Sequence, residues 1–370
     1  MILYGEHLND GIKRQFDKKT TNIIKGMMLI FMFILHFFTE PEQYVSGISY
    51  PQLASFSVRF KKPFDICVPV FAFLTGYFYH YCLKKDYKYS LKKVKQIMIP
   101  YWMVFFVLLL IGIITNTYVF KISTFILEMF ALYRPVMWFC WYVAFYVVSM
   151  MLLPLSTKFS NNILTAVVCG MILPYGIGVC LNHFWEIPII VSRLISDVST
   201  FYPVISMGYI CAKFHIFEMI DYYICHQKRN MIVWGGVTVT SIILFIGQFY
   251  ITQDALNNLC HGMVSLFLYY LSIPLFVFCL IIIINCWKIK SGLWILGEIG
   301  KKSMYMWFVH SIFFNCSKEV FQRKLYWPNN PVLVDLWGLL ICWCAALGID
   351  TLYRKLSIRY CVNEKRKFSR

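Results

Sequence analysis

The chain has 370 residues, of which 59% are hydrophobic and 19% aromatic, but only 14% are charged and the mean hydropathy is +0.62. Soluble domains carry roughly 25% charged residues, so this composition excludes an ordinary water-soluble protein. The formal net charge is +17, and its distribution in short segments between apolar runs indicates a membrane topology rather than nucleic-acid binding.

Runs without Asp, Glu, Lys or Arg predict membrane-spanning helices, because about 20 apolar residues in a helix cross ~30 Å of hydrocarbon. Backbone groups in lipid must be hydrogen-bonded internally, and the alternating pattern of a β-barrel is absent, so we predict helices. The chain is therefore predicted to be an all-α integral membrane protein with about ten transmembrane helices. In chain order the charge-free runs are 26–39, 66–83, 96–120, 135–157, 159–185, 198–212, 230–253, 255–287, 303–317 and 336–349.

The positions of Lys and Arg predict that both termini are cytosolic. With a cytosolic N-terminus, the cytosolic segments hold 26 of the 35 Lys and Arg residues, and the opposite side holds 9. This bias follows the positive-inside rule. We divide the chain into a cytosolic N-terminal segment (1–22), a transmembrane domain (23–353) and a basic cytosolic tail (354–370). The start is polar and mixed in charge, so we expect no cleavable signal peptide.

The cysteines of the chain, and the lysines that lie between its predicted spans, are less informative about function. The 14 cysteines are scattered and form no CxxC pair, so neither a disulfide framework nor a metal site is expected. The loop LKKDYKYSLKKVKQ, residues 83–96, holds six lysines. Its simplest interpretation is topology-setting charge that is attracted to anionic lipid.

Two histidines lie inside predicted spans, where ionisable groups are costly and are therefore candidates for function. They are His36 and His310, and the structural alternative for each is an interhelical hydrogen bond. Lys25 precedes His36 by eleven residues, which on a helix is a rise of about 16 Å and a rotation about 20° beyond three turns. Histidine is suited to take a proton from a hydroxyl, and lysine to bind a phosphorylated ligand. The pattern predicts group transfer from a charged cytosolic donor to a hydroxyl deeper in the protein.

Five segments, in the expected order, resemble the acyltransferase-3 family of bacterial membrane O-acyltransferases. The first has lysine, ten residues and histidine, where the family usually has arginine, ten residues and histidine. Lys25 therefore replaces a bidentate phosphate ligand by a point charge, and Thr75 stands where many members have serine. The segments are NIIKGMMLIFMFILHFF, VPVFAFLTGYFYHY, SLKKVKQIMIPYW, WFCWYVAFYVVSMMLLPL and YMWFVH.

The resemblance implies a multi-pass enzyme of the plasma (inner) membrane. It would transfer an acyl group, most often acetyl from acetyl-CoA, to a hydroxyl of a surface or exported glycan or of a lipid-linked sugar. We expect His36 and His310 to be catalytic and Arg134 and Trp138 to contact the acceptor, although an arginine in a position like that of Arg134 is more often a snorkelling interfacial residue than a substrate contact. The residues expected to bind the CoA phosphates are Lys25, Lys92, Lys93 and Lys95.

Two other classes of protein remain open at this point. A proton-coupled transporter or flippase would also have about ten helices with buried histidines, but such proteins usually show repeated halves and interrupted helices. Neither feature is evident here, and Asp and Glu are nearly absent from the spans. A sensor or scaffold would leave His36 and His310 unexplained.

Overall fold

The structure, a computed structural model, describes residues 16–38, 63–220, 231–251, 263–286, 292–314 and 318–367. These residues form helices and connecting turns, and no strand occurs among them. The helices are α1 (Lys18–Phe38), α2 (Cys67–His80), α3 (Tyr87–Ile114), α4 (Ile122–Met129), α5 (Trp141–Lys158), α6 (Ile163–Val167), α7 (Leu173–Phe184), α8 (Ile189–Lys213), α9 (Met231–Ile251), α10 (Met263–Cys286), α11 (Trp294–Val309), α12 (Lys318–Leu325) and α13 (Pro331–Lys367).

Three short non-α turns join or extend these helices. A 3₁₀ turn at Trp138–Cys140 leads into α5, and a π-helical turn at Val168–Ile172 connects α6 to α7. A second 3₁₀ turn, His310–Phe313, follows α11 directly. The segment 39–65, between the first two predicted spans, lies mostly outside the described residues.

Seven helical stretches among the described residues are long and apolar enough to cross a membrane. The chain is thus a multi-pass helical membrane protein, as the sequence predicts. The remaining predicted spans coincide with α2 and α11, which have 14 and 16 residues, and with α9, which contributes the short apolar stretch Gly235–Gly247. The total of ten therefore stays a prediction. The seven stretches are Lys18–Phe38, Tyr87–Ile114, Trp138–Lys158, Ile163–Phe184, Ile189–Lys213, Leu268–Asn285 and Pro331–Lys355.

The helix at the predicted ninth span differs in its boundaries from the charge-free run 303–317. It is Trp294–Val309, and His310 follows it as the first residue of the 3₁₀ turn instead of lying inside a helix. The helix extends towards its N-terminus across charged residues because their charges are neutralised locally; Lys302, for example, forms an ion pair with Asp350 of α13. Charge alone therefore does not mark where this helix begins.

The helix α1 lies at the centre of the molecule. Of the apolar part of α1, 67% is buried inside the protein, whereas the buried share is 17% for Ile163–Phe184 and 28% for Pro331–Lys355. The last two stretches expose apolar side chains, as expected for helices that face lipid. A central α1 surrounded by other helices explains how it can hold polar side chains away from the hydrocarbon.

Helices α1 and α11 pack closely because glycines stand where their backbones meet. A Cβ atom on Gly26 would overlap the carbonyl oxygen of Leu296, and one on Gly300 would overlap the carbonyl oxygen of Asn22. Small residues at a helix crossing allow this approach in membrane proteins generally. The same device joins α2 to α8, where Gly208 meets the backbone of the other helix.

The two helices α1 and α11 run in the same direction. Asn22 and Gly300, near their starts, are in contact, and His36 and His310, at their ends, are hydrogen-bonded. The parallel arrangement brings the two histidines to the same depth of the helix bundle.

Candidate active site

The protein contains a cavity of about 530 Å³, and several helices each contribute one face to its wall. Its size is within the range of about 300–1,000 Å³ that is usual for small-molecule sites. The helices α1, α2, α3, α5 and α11 contribute most of the wall. The lining residues are Lys25, Met32, His36, Val68, Phe71, Leu74, Thr75, Phe78, Tyr79, Tyr89, Lys93, Gln96, Ile97, Phe139, Trp141, Tyr142, Tyr146, Met150, Ser303, Met304, Tyr305, Trp307 and Tyr353.

Lys25 and His36 both line this cavity, as expected from their common helix face. Their eleven-residue separation along a helix corresponds to about 16 Å, so the cavity is elongated along α1. Met32, one turn before His36, lines the wall between them. A single long ligand in this cavity would meet an ammonium group towards one end and an imidazole at the other.

His36 forms a hydrogen bond with the second predicted histidine. The Nδ1 atom of His36 lies 2.8 Å from Nε2 of His310, and Nδ1 of His310 is hydrogen-bonded to the carbonyl oxygen of Trp307. A carbonyl can only accept, so the Nδ1–H of His310 is the donor. In the neutral ring, Nε2 of His310 then accepts from the Nδ1–H of His36. This chain of hydrogen bonds makes Nε2 the basic nitrogen of His36.

Aromatic rings fix the orientation of both imidazoles. The ring of Phe139 stacks on His36 with centroids 3.7 Å apart and an interplanar angle of 13°. His310 is fully buried and stacks on Phe33 at 5.5 Å. The face of an aromatic ring attracts a cation, so Phe139 would stabilise His36 after it takes up a proton.

The positions of the two histidines at helix ends add a second electrostatic effect. His36 is in the last turn of α1, and His310 directly follows the last residue of α11. The C-terminal end of a helix carries a partial negative charge, which stabilises a cation by about 0.3–1 kcal/mol, and by more in a partly buried setting. The end of α1 therefore stabilises the positive charge that His36 acquires when it takes a proton from a substrate.

Of the three lysines predicted on α3, only Lys93 lines the cavity. Lys92 and Lys95 are exposed. Each residue of an α-helix is rotated about 100° from its neighbour, so three lysines this close in sequence cannot share one face. The structure brings Lys93 together with Lys25 and His36 and leaves the other two lysines outside.

The two residues predicted to bind the acceptor do not line the cavity. Arg134 is 3.9 Å from the carboxylate of Asp197, and Trp138 is 39% exposed. The Trp138 ring contacts Phe139, the residue that stacks on His36, at a centroid distance of 4.5 Å. Both residues precede α5, and Trp138 is one aromatic ring away from His36.

The sequence analysis did not single out Phe139, the carbonyl of Trp307 or the tyrosines of the cavity wall. Phe139 and Trp307 occur inside segments that carry the family resemblance, directly beside or near residues that were chosen. A stacking ring and a backbone carbonyl have no signature in one sequence, because both depend on which helices are neighbours. Regular spacing along WFCWYVAFY was the available signal, since Phe139, Tyr142 and Tyr146 recur at helical intervals.

The described residues contain no group of three or more His, Cys, Asp or Glu side chains that could hold a metal ion. A family model described as "Acyltransferase domain" matches residues 20–350. Neither a curated protein nor a solved structure matches the chain. The matched range contains every residue that lines the cavity except Tyr353.

Proposed function

The chain belongs to the acyltransferase-3 family and is a membrane acyltransferase, and from this premise we propose that it transfers an acetyl group from acetyl-CoA to a hydroxyl of a surface or exported glycan. The observation that carries the proposal is the hydrogen-bond chain His36–His310–Trp307 beside a cavity that also contains Lys25. We propose the plasma membrane as the location, because a glycan acceptor for export is available there.

The acetyl transfer needs one base and no covalent enzyme intermediate. Nε2 of His36 takes the proton of the acceptor hydroxyl as its oxygen bonds to the thioester carbonyl carbon. The tetrahedral intermediate then breaks its carbon–sulfur bond, and the CoA sulfur leaves and receives the proton from His36. His310 holds the His36 ring in the required tautomer and is a positioning residue, because its own Nε2 accepts from His36.

The two lysines of the cavity suit the charged part of the donor. Lys25 and Lys93 line the wall, and neither forms an ion pair with a carboxylate in the part of the chain that the structure describes. Ammonium groups bind phosphates as point charges. In this arrangement the phosphates of acetyl-CoA meet the lysines, and the pantetheine arm carries the thioester along α1 towards His36.

The acceptor reaches His36 from the end of the cavity next to α5. Trp138 exposes an apolar ring there, and Arg134, four residues earlier in the chain, carries a guanidinium group of the kind that binds hydroxyl groups. An aromatic ring with neighbouring polar groups is a common surface for a sugar ring, since the apolar face of the sugar stacks and its hydroxyls are hydrogen-bonded. A free glycan or a lipid-linked sugar fits the same chemistry.

The test is a transfer assay with purified protein in nanodiscs and acetyl-CoA that is radiolabelled in the acetyl group. We expect label to appear in an added glycan acceptor or, without acceptor, in acetate from slow hydrolysis. The His36→Ala variant, brought to the same protein level, is the control. If wild type and His36→Ala release label at the same rate, the proposal is wrong.

A further inference from the structure

A group of basic side chains outside the cavity surrounds one buried tyrosine. The Nζ atoms of Lys85 and Lys213 lie 5.9 Å and 5.8 Å from the centroid of the Tyr209 ring. Nζ of Lys85 is also 3.5 Å from Nδ1 of His80, whose ring packs against Tyr209 at 5.6 Å. We call Lys85, Lys213 and His80 the basic cluster. His80 and Lys85 come from the end of α2 and the turn after it, and Lys213 is the last residue of α8.

No carboxylate of the described residues neutralises the two ammonium groups of the basic cluster. Neither Lys85 nor Lys213 forms an ion pair with a carboxylate within the described ranges. The nearby acids are engaged elsewhere: Asp86 accepts a hydrogen bond from the backbone N–H of Tyr89, and Glu218 faces His215 at 3.6 Å. Like charges held together repel each other unless an anion lies between them.

The electrostatic surroundings of Lys85 agree with this geometry. Lys85 lies in the turn between α2 and α3, outside the membrane-spanning segments. Burial lowers the pKa of Lys85, and the ammonium of Lys213 lowers it further. A bound anion would reverse both effects, because it restores a favourable partner for each charge.

The basic cluster is adjacent to the reaction cavity but separate from it. None of Lys85, Lys213 and Tyr209 lines the cavity. Tyr79 lies between them, since its ring packs on Tyr209 at 6.4 Å and also lines the cavity. A ligand at the cluster would therefore be one aromatic ring away from a ligand in the cavity.

We propose that Lys85, Lys213 and His80 form a second anion site, which binds a phosphate group between the ammonium groups of the two lysines. Two sources of phosphate share this chemistry. One is the headgroup of an anionic phospholipid, and the other is a phosphate of the nucleotide end of acyl-CoA, distant from the group bound by Lys25. The second source rests on the function proposed above, whereas the first does not.

The experiment compares two double variants with the same loss of charge. The test variant is Lys85→Gln with Lys213→Gln, and the control is Lys84→Gln with Lys88→Gln, which removes two exposed lysines of the same loop. Because Lys213 also donates to the carbonyl oxygen of Ser160, Lys85→Gln alone is a second test variant that keeps this bond. Binding to purified protein is measured by titration calorimetry, once with adenosine 3′,5′-bisphosphate and once with short-chain phosphatidylglycerol.

We expect the double test variant to raise the Kd of at least one probe about tenfold or more, as for loss of charge-assisted hydrogen bonds, and the control to change it less than about twofold. Loss confined to the nucleotide identifies the donor as the source, and loss confined to phosphatidylglycerol identifies lipid. If the test variants bind both probes as the control does, the site does not exist. A protein that binds these probes but transfers no acetyl group overturns the proposed function and leaves the site intact.

Discussion

At the scale of single residues, the histidine pair differs from a histidine in water because hydrogen bonds fix the tautomer of both rings. Nδ1 of His310 donates to Trp307, Nε2 of His310 accepts from His36, and Nε2 of His36 remains the basic atom. Because the tautomer and the orientation of the His36 ring are fixed before substrate binds, neither has to change during the reaction.

Replacing His36 with alanine removes the proposed base. We expect kcat for acetyl transfer to fall by roughly 10²–10⁴-fold, the usual range for loss of a general base, with little change in the apparent KM for acetyl-CoA. Initial rates against acetyl-CoA concentration in nanodiscs check this expectation. A near wild-type kcat in His36→Ala would contradict the mechanism, whatever the family membership.

His310 is expected to act through His36 rather than on the substrate. In His310→Ala the Nδ1–H of His36 loses its acceptor, so kcat should fall by roughly 10²-fold while the KM for acetyl-CoA is kept. His310→Gln should recover part of this loss, because its side-chain oxygen can accept the same hydrogen bond. If His310 is only an interhelical contact, unfolding free energy should instead fall by about 1 kcal/mol in His310→Ala, with kcat retained.

Lys25 is expected to bind the donor and not to take part in bond breaking. Lys25→Ala should mainly raise the KM for acetyl-CoA, as for an interaction made equally in the ground and transition states. Lys25→Arg should be tolerated, because the family usually carries arginine there. Lys93→Ala should show the same direction of effect as Lys25→Ala, and the exposed Lys92→Ala serves as a matched control. An unchanged KM in both Lys25→Ala and Lys93→Ala would refute donor binding at this end of the cavity.

At the scale of helices, the contact between α1 and α11 determines whether the two histidines meet. Gly26 and Gly300 allow the backbones to touch near the start of both helices, and His36 and His310 follow each glycine by ten residues. Two parallel helices in close contact therefore keep equivalent positions at equal depth. The hydrogen bond between His36 and His310 depends on the short distance between the two helices.

A larger side chain at Gly300 should force α1 and α11 apart. For Gly300→Val we expect a loss of about 1–3 kcal/mol in unfolding free energy and a fall in kcat similar to that of His310→Ala. Gly297→Ala in the same helix is the control, because a Cβ there would be 3.7 Å from Ile23, an ordinary contact. Thermal denaturation and turnover of both variants are measured in one detergent. Equal stability and activity in the two variants would exclude the close helix crossing.

At the scale of the whole molecule, the parallel direction of α1 and α11 restricts the topology. Parallel helices must be separated by an odd number of membrane crossings, and five of the seven candidate spans lie between them in the chain. The helices α2 and α9 must then both cross or both remain on one side. If neither crossed, the six lysines of loop 83–96 would be external, against the positive-inside rule.

We therefore predict that α2 and α9 both cross the membrane, giving ten spans. Reporter fusions after residues 90 and 365 should report the cytosol, and a fusion near residue 256 should report the outside. A fusion after Lys121 should report the outside if α2 crosses the membrane and the cytosol if it does not. An external signal at 90, or a cytosolic signal at 256, would disprove the ten-helix topology.

The sequence by itself determined the properties that depend on composition and local periodicity. A charge content of 14% and long charge-free runs identify a helical membrane protein, and the spacing of Lys25 and His36 puts both on one helix face. These conclusions need no tertiary structure, because hydrocarbon thickness and helix geometry are the same for every chain. The family resemblance rested on the same local segments.

Only the tertiary structure decided which distant residues meet. His36 and His310 are 274 residues apart, and their hydrogen bond exists because glycines let α1 and α11 approach in parallel. Likewise Lys93 lines the cavity and Lys92 does not, although both are lysines at the polar end of α3, where no apolar pattern marks the inner face. Periodicity specifies a residue's position on its own helix, whereas neighbouring helices are selected by the fit of their surfaces, which is spread over the whole chain.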